Sequence, residues 1–150
     1  FLPHLISSGD GPLVNLSSPF ASLSVPSQNA YNAAKAAVQQ FTESLRMEML
    51  AAGHPVDVTC VHPGGIKTAV ARSAGAAEGL DSADFATIFD TKFARTEAST
   101  AARVILDGVE RRRPRVLVGA DAHVLDVLVR LFPAGYQKAT VAASRRFGVV

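Results

Sequence analysis

At 150 residues, 48% hydrophobic and 19% charged, the chain has the size and composition of one ordinary globular domain, neither disordered nor fibrous. The net charge is +2, with the basic surplus in Arg111-Arg112-Arg113-Pro114-Arg115 and Arg145-Arg146; without interleaved aromatics these read as solvated helix ends, not a nucleic-acid surface. One cysteine, Cys60, excludes an internal disulfide framework and fits a reducing, cytoplasmic setting, and no apolar run reaches the ~18–20 residues of a membrane span.

Phe1 to Ser8 reads as the end of a helix and Gly9-Asp10-Gly11-Pro12 as a turn. Leu13 to Ser17 reads as a strand, and the small-residue loop from Pro19 to Pro26 leads to a long helix. That helix is predicted from Gln28 to Ala52, roughly 37 Å at ~1.5 Å per residue. Ala34, Val38, Phe41, Leu45 and Met49 form the stripe expected to face the core. Ala30, Ala33, Ala36 and Ala37 would let another backbone approach the first turns, but alanines are also simply good helix formers. Gly53 followed by Pro55 predicts the stop.

Val56 to His62 is the second strand, rich in β-branched residues, and it runs into Pro63-Gly64-Gly65-Ile66-Lys67-Thr68. Two glycines permit a sharp turn and a close approach to a flat ligand, although a plain strand-to-loop turn explains the same residues. Cys60 reads as buried filler and His62 as a structural strand-end residue with no metal-ligand spacing around it. Residues 69 to 95 suit a helical flap, in which Phe85, Ile88, Phe89 and Phe93 either line an apolar pocket or pin the flap down. Ala98, Ala101, Ala102, Ile105, Leu106 and Val109 mark an amphipathic helix over Thr96 to Arg111, with Thr96 as its N-cap. Arg115 to Gly119 is a third strand, and Asp121 to Phe132 a further helix broken at Pro133-Ala134-Gly135. The tail from Tyr136 to Val150 is weakly amphipathic and reads as packing on the domain or fraying, with a membrane-surface or partner-helix role as the alternative. Strand and helix alternate, which argues an α/β fold with a parallel sheet and flanking helices in a single domain.

Tyr31 and Lys35 stand four apart near the start of the long helix, so their side chains stack on one face. An ammonium one turn from a phenol favours the ionised phenol, and a helix N-terminus acts in the same direction. Such a phenol can pass a proton as acid or base. Ser18, thirteen residues before Tyr31, ends a predicted strand, where open α/β sheets place their ligands.

Asn15-Leu16-Ser17-Ser18, Tyr31-Asn32-Ala33-Ala34-Lys35 and His62-Pro63-Gly64-Gly65-Ile66-Lys67-Thr68 together resemble the second half of a short-chain dehydrogenase/reductase, from about Leu2 to Leu131. The resemblance implies a Rossmann-type doubly wound parallel sheet, represented here by about three strands of its C-terminal half, with a substrate lid near 69–95. It implies NAD or NADP as cofactor and interconversion of an alcohol with a ketone or aldehyde. Tyr31 would transfer the proton, Lys35 would support it and hold the nicotinamide ribose, and Ser18 would hydrogen-bond the substrate oxygen. Ser17 is the alternative serine, at an interval of fourteen. Pro63, Gly64, Ile66 and Thr68 would meet the nicotinamide. The partners implied are a small, apolar alcohol or carbonyl substrate and a second copy of the chain, packed through the long helix as a homo-dimer or tetramer.

Ala21 departs from the family's usual glycine, and no GxxxGxG follows a strand, so the family's N-terminal phosphate-binding half is expected to be absent from these 150 residues. Phe1 is not an initiator methionine and no signal peptide is visible, so the chain reads as a piece. Two alternatives remain open: a catalytically inactive fragment that only dimerises, and a hydrolase, which would need a serine in a GxSxG elbow paired with His4, His54, His62 or His123.

Overall fold

Three parallel strands centre the computed structural model, which describes residues 1–70, 87, 91 and 93–146. They are β1 (Gly11–Leu16), β2 (Val56–Pro63) and β5 (Arg115–Val118), in the order β1-β2-β5. In register, Leu16 faces Val61, and Cys60 and Pro63 face Arg115 and Val118. Helix α1 (Leu2–Ser8) precedes β1, and α2 (Asn29–Ala52) links β1 to β2. Two short strands, β3 (Ile66–Lys67) and β4 (Thr96–Glu97), pair in parallel beside the main sheet. Helices α3 (Ala98–Glu110), α4 (Ala120–Leu131) and α5 (Tyr136–Arg146) complete the described elements.

Alternation along β2 builds two cores, because successive side chains point to opposite faces. Val56 and Val58 pack with Leu45 and Met49 of α2, joined by Leu2, Leu5, Ile6 and Leu13. Val61, on the other face, packs with Val116, Val118 and Ala101, flanked by Ile66 and Ile105. The sheet is therefore covered by α2 on one side and α3 on the other, the expected α/β architecture.

The buried face of α2 is rotated from the expected stripe. Leu45 and Met49 are buried, but Phe41 is 62% exposed, and Thr42 takes the core position at 1%. The Thr42 hydroxyl donates to the Val38 carbonyl at 2.6 Å and accepts from Asn15 Nδ2 at 3.0 Å. A polar residue with both needs met is cheap to bury, and a count of apolar residues misses it. Helix α2 ends as expected, with Gly53 in the left-handed region at φ 66°.

The start of α3 also differs. Thr96 is not its N-cap: Thr96 pairs with Ile66 in the β3–β4 ladder, and Glu97 occupies the cap position without a side-chain capping bond. The Arg111–Arg112 cluster is tied to acids, Arg111 to Asp107 at 2.8 Å and Arg112 to Asp10 and Asp57 at 3.2 and 3.0 Å. Most of the expected lid over 69–95, with Phe85, Ile88 and Phe89, lies outside the described residues, as does the tail beyond Arg146. Among the described residues, no helix is long and apolar enough to cross a membrane.

Candidate active site

The C-terminal ends of all three parallel strands meet on one edge, bringing together Ser17-Ser18 after β1, Pro63–Thr68 after β2 and Gly119-Ala120-Asp121 after β5. That edge is the ligand-binding edge of open α/β sheets.

The two serines have different tasks. Ser17 is buried, its N–H donates to the Val61 carbonyl at 2.8 Å, and its hydroxyl donates to the Lys35 carbonyl at 2.8 Å. It docks α2 onto the sheet. Ser18, in extended backbone, caps the short 3-10 helix Pro19–Ala21, its Oγ accepting the Phe20 N–H at 3.2 Å. Because that Oγ acts as an acceptor there, its own hydrogen is left to give.

Tyr31 and Lys35 lie one turn apart at the start of α2. Lys35 Nζ stands 5.7 Å from the centre of the Tyr31 ring, within cation–π range, and donates to the Leu16 carbonyl at 3.0 Å. Phe20 meets the same ring edge to face at 6.4 Å. Tyr31 is 43% exposed, and its hydroxyl has no hydrogen-bond partner among the described residues. Leu16, Ser18 and Phe20 thus link the end of β1 directly to the Tyr31–Lys35 pair.

The Pro63–Thr68 block is held by protein contacts on several sides. Gly64 N–H donates to the Val118 carbonyl at 2.9 Å, and Gly65 N–H donates to Asp121 Oδ2 at 2.6 Å. The Gly65 carbonyl accepts from the N–H groups of Arg95 and Thr96, both at 3.1 Å. Neither glycine has a positive φ. Their missing side chains are explained differently: a Cβ on Gly64 would collide with the Asp121 carboxylate, and one on Gly65 with the Phe93 carbonyl. The glycines therefore admit other parts of the protein, where the sequence had suggested approach to a ligand. Thr68 remains exposed, its hydroxyl accepting a long bond from Val70 N–H at 3.4 Å.

Sequence reasoning missed Asp121. An acid in the first turn of a helix is favourable by charge alone, so nothing in the sequence signals that this one reaches across to Gly65. His62 also has a more specific place than a strand end: wholly buried, its Nδ1 contacts the Ser18 carbonyl at 3.0 Å. It faces the serine's backbone, not its hydroxyl, so the serine–histidine pair of a hydrolase is not formed there. Burial pushes the Cys60 thiol pKa up, keeping it protonated and inert. Among the described residues, no group of three or more His, Cys, Asp or Glu side chains could hold a metal ion.

What this edge of the sheet offers a flat, polar cofactor is three groups: the Tyr31 hydroxyl, the Lys35 ammonium with two further hydrogens to donate, and, in the segment after β2, the exposed Thr68 hydroxyl. Donors and acceptors of this kind suit ribose hydroxyls and a carboxamide, and the residues present fit the nicotinamide end of a dinucleotide.

Comparison with known proteins agrees with this arrangement. The short chain dehydrogenase family profile matches residues 1–79. The provisionally assigned oxidoreductase SadH of Mycobacterium tuberculosis is 54% identical over 147 residues, 98% of this chain and 53% of its own length. The crystal structure of a short chain dehydrogenase from Burkholderia cenocepacia in complex with NADP matches with TM-score 0.67 and 26% identity, over 95% of this chain and 52% of that one. A short chain dehydrogenase/reductase from Burkholderia phymatum in complex with NAD matches with TM-score 0.77 over 91% of this chain and 53% of that one; at 20% identity it speaks for the fold alone. The chain spans about half the length of these relatives.

Proposed function

Because this chain belongs to the short-chain dehydrogenase family, we propose that it carries the catalytic residues of a nicotinamide-dependent oxidoreductase interconverting an alcohol and a ketone or aldehyde. The observation that carries the proposal is the exposed, unpartnered Tyr31 hydroxyl with the Lys35 ammonium 5.7 Å from its ring, at the C-terminal edge of the sheet. NAD(H) or NADP(H) supplies or accepts the hydride when bound; the NADP of the Burkholderia cenocepacia relative supports a cofactor of this class.

In the reductive direction Tyr31 gives its hydroxyl proton to the oxygen of the forming alcohol; in the oxidative direction it takes that proton. Lys35 holds the resulting phenolate charge electrostatically and has hydrogens left for ribose hydroxyls. Ser18 donates its free O–H to the substrate oxygen and orients it, while Phe20 N–H fixes the serine oxygen from behind. Ser17 cannot share that task while its hydroxyl is given to Lys35's carbonyl. Pro63, Gly64, Ile66 and Thr68 shape the nicotinamide side of the site, with Ile66 backbone and Thr68 hydroxyl toward the carboxamide. The substrate is a small, apolar alcohol or carbonyl compound, and the setting is the cytoplasm.

Phe41, Met47 and Leu50 of α2 are 62–66% exposed and favour a homo-dimer or tetramer through that helix. The same observation favours a second reading, a non-catalytic module that only assembles through α2. Calorimetric titration of the full-length protein with NADH and NADPH, beside its sedimentation mass, tests both. Saturable binding of either cofactor supports the oxidoreductase; a dimer that binds neither favours the module.

A further inference from the structure

His62 is the largest fully buried side chain among the described residues, and its position costs something a valine or leucine there would not. Its Nδ1 faces a carbonyl, which can only accept, so Nδ1 carries the hydrogen. Burial lowers the imidazole pKa, so the ring is neutral at pH 7. Nε2 is then a bare acceptor, buried and without a partner among the described residues. An unsatisfied buried acceptor is destabilising, and Val56, Val58 and Cys60 fill the same face of β2 with apolar groups. Packing alone does not call for a histidine here.

The main-chain ladder accounts for it. Ser17 N–H to the Val61 carbonyl is the last described backbone bond between β1 and β2. β2 then reaches Pro63, which has no N–H to offer the next carbonyl of the first strand. The His62 ring supplies the missing donor, one residue further, to the Ser18 carbonyl. We propose that His62 is a positioning residue: its ring bond fixes the Ser18 backbone against the start of the Pro63–Thr68 block. It thereby sets the spacing between the group that orients the substrate oxygen and the side of the site that faces the nicotinamide. This role rests on the oxidoreductase reading above.

The test uses the full-length protein with NADH and NADPH, and with acetophenone, benzaldehyde and 2-decanone as carbonyl probes. His62→Leu removes the donor at similar volume; His62→Asn returns an amide hydrogen near the place of Nδ1. Misplacing reacting groups by about 1 Å costs about 10²-fold, so H62L is expected to lose about 10–10²-fold in kcat, with cofactor Kd unchanged within about twofold. H62N is expected to recover to within about fivefold of wild type, a rescue that restored packing alone would not give. Retention of kcat by H62L overturns the proposal, as does a folded H62N no better than H62L. If H62L fails to fold, H62N decides together with the nitrogen NMR shifts of the wild-type ring, where a hydrogen on Nε2 and none on Nδ1 overturns the proposal whatever the kinetics. A Tyr31→Phe control separates the two levels. Wild-type turnover that survives this change, or is absent with every probe, overturns the oxidoreductase reading and the role of His62 with it; turnover that needs Tyr31 but not His62 overturns only the latter.

Discussion

Asp121 accepts the Gly65 N–H at 2.6 Å and fills the space that a side chain on Gly64 would need. One carboxylate, projected from the first turn of α4, thus clips the block after β2 to the element after β5. Gly119, in the left-handed region at φ 95°, completes the fit, because a Cβ there would also strike that carboxylate.

Removing the clip and crowding it have distinguishable effects. Asp121→Ala is expected to destabilise the protein by about 1.5–3 kcal/mol, the range for a hydrogen bond to a charged group. Gly64→Ala alone is expected to cost about 1–3 kcal/mol through overpacking. In the Asp121→Ala background that second cost shrinks, because the colliding carboxylate is gone. Urea unfolding of the two single variants and the double variant measures the coupling; strictly additive losses would contradict the arrangement.

Asp126 of α4 joins Arg115 at 2.7 Å and Arg130 at 3.0 Å. The hydrogen bond from Arg115, with that from Arg130, holds its carboxyl pKa down to about 2, against the opposing effect of burial. A carboxylate depressed on folding adds stability above its unfolded pKa near 4 and loses it as pH falls toward 2. With Arg130 63% exposed and screened by solvent, the contribution is about 1–2 kcal/mol. Asp126→Asn should lower stability at pH 7 and flatten its decline between pH 4 and 2, measured by unfolding across that window. An unchanged acid limb would contradict the assignment.

Gly108 lies inside α3 with its Cα against Val116 of β5, where a Cβ would collide with the valine side chain. Helix propensity alone favours alanine by about 1 kcal/mol. Overpacking costs about 1–3 kcal/mol and opposes it. Gly108→Ala is therefore expected to lower the melting temperature, and Gly108→Ala with Val116→Ala to recover part of the helix gain. A rise in melting temperature for the single variant would show that α3 can move away from the sheet.

Where a residue's role depends on its near neighbours in the chain, the sequence was legible. The three main strands, α2 and its Gly53 stop, and the four-residue interval of Tyr31 and Lys35 fall within the reach of local periodicity and capping. Contacts between distant segments were not. Thr42 became core because Asn15, 27 residues away, satisfies it, and Phe41 turned outward as a result. Thr96 looked like a cap until β4 found β3, a two-residue ladder too short to leave a pattern. The partner of Asp121 lies 56 residues upstream, and that of His62 lies 44 upstream. Gly64 and Gly65 could be recognised as necessary, but only the packed structure shows that protein atoms occupy the space they leave.

Turnover of the full-length protein with NADH or NADPH and a carbonyl probe, wild type beside Tyr31→Phe, tests the central claim most directly. Phenylalanine keeps the ring and its contacts with Phe20 and Lys35 but lacks the hydroxyl. The account predicts a loss of about 10²–10⁴-fold in kcat, the usual worth of a positioned acid–base group, with cofactor affinity largely kept. Near-normal turnover by Tyr31→Phe would contradict the assignment of Tyr31 as the proton donor.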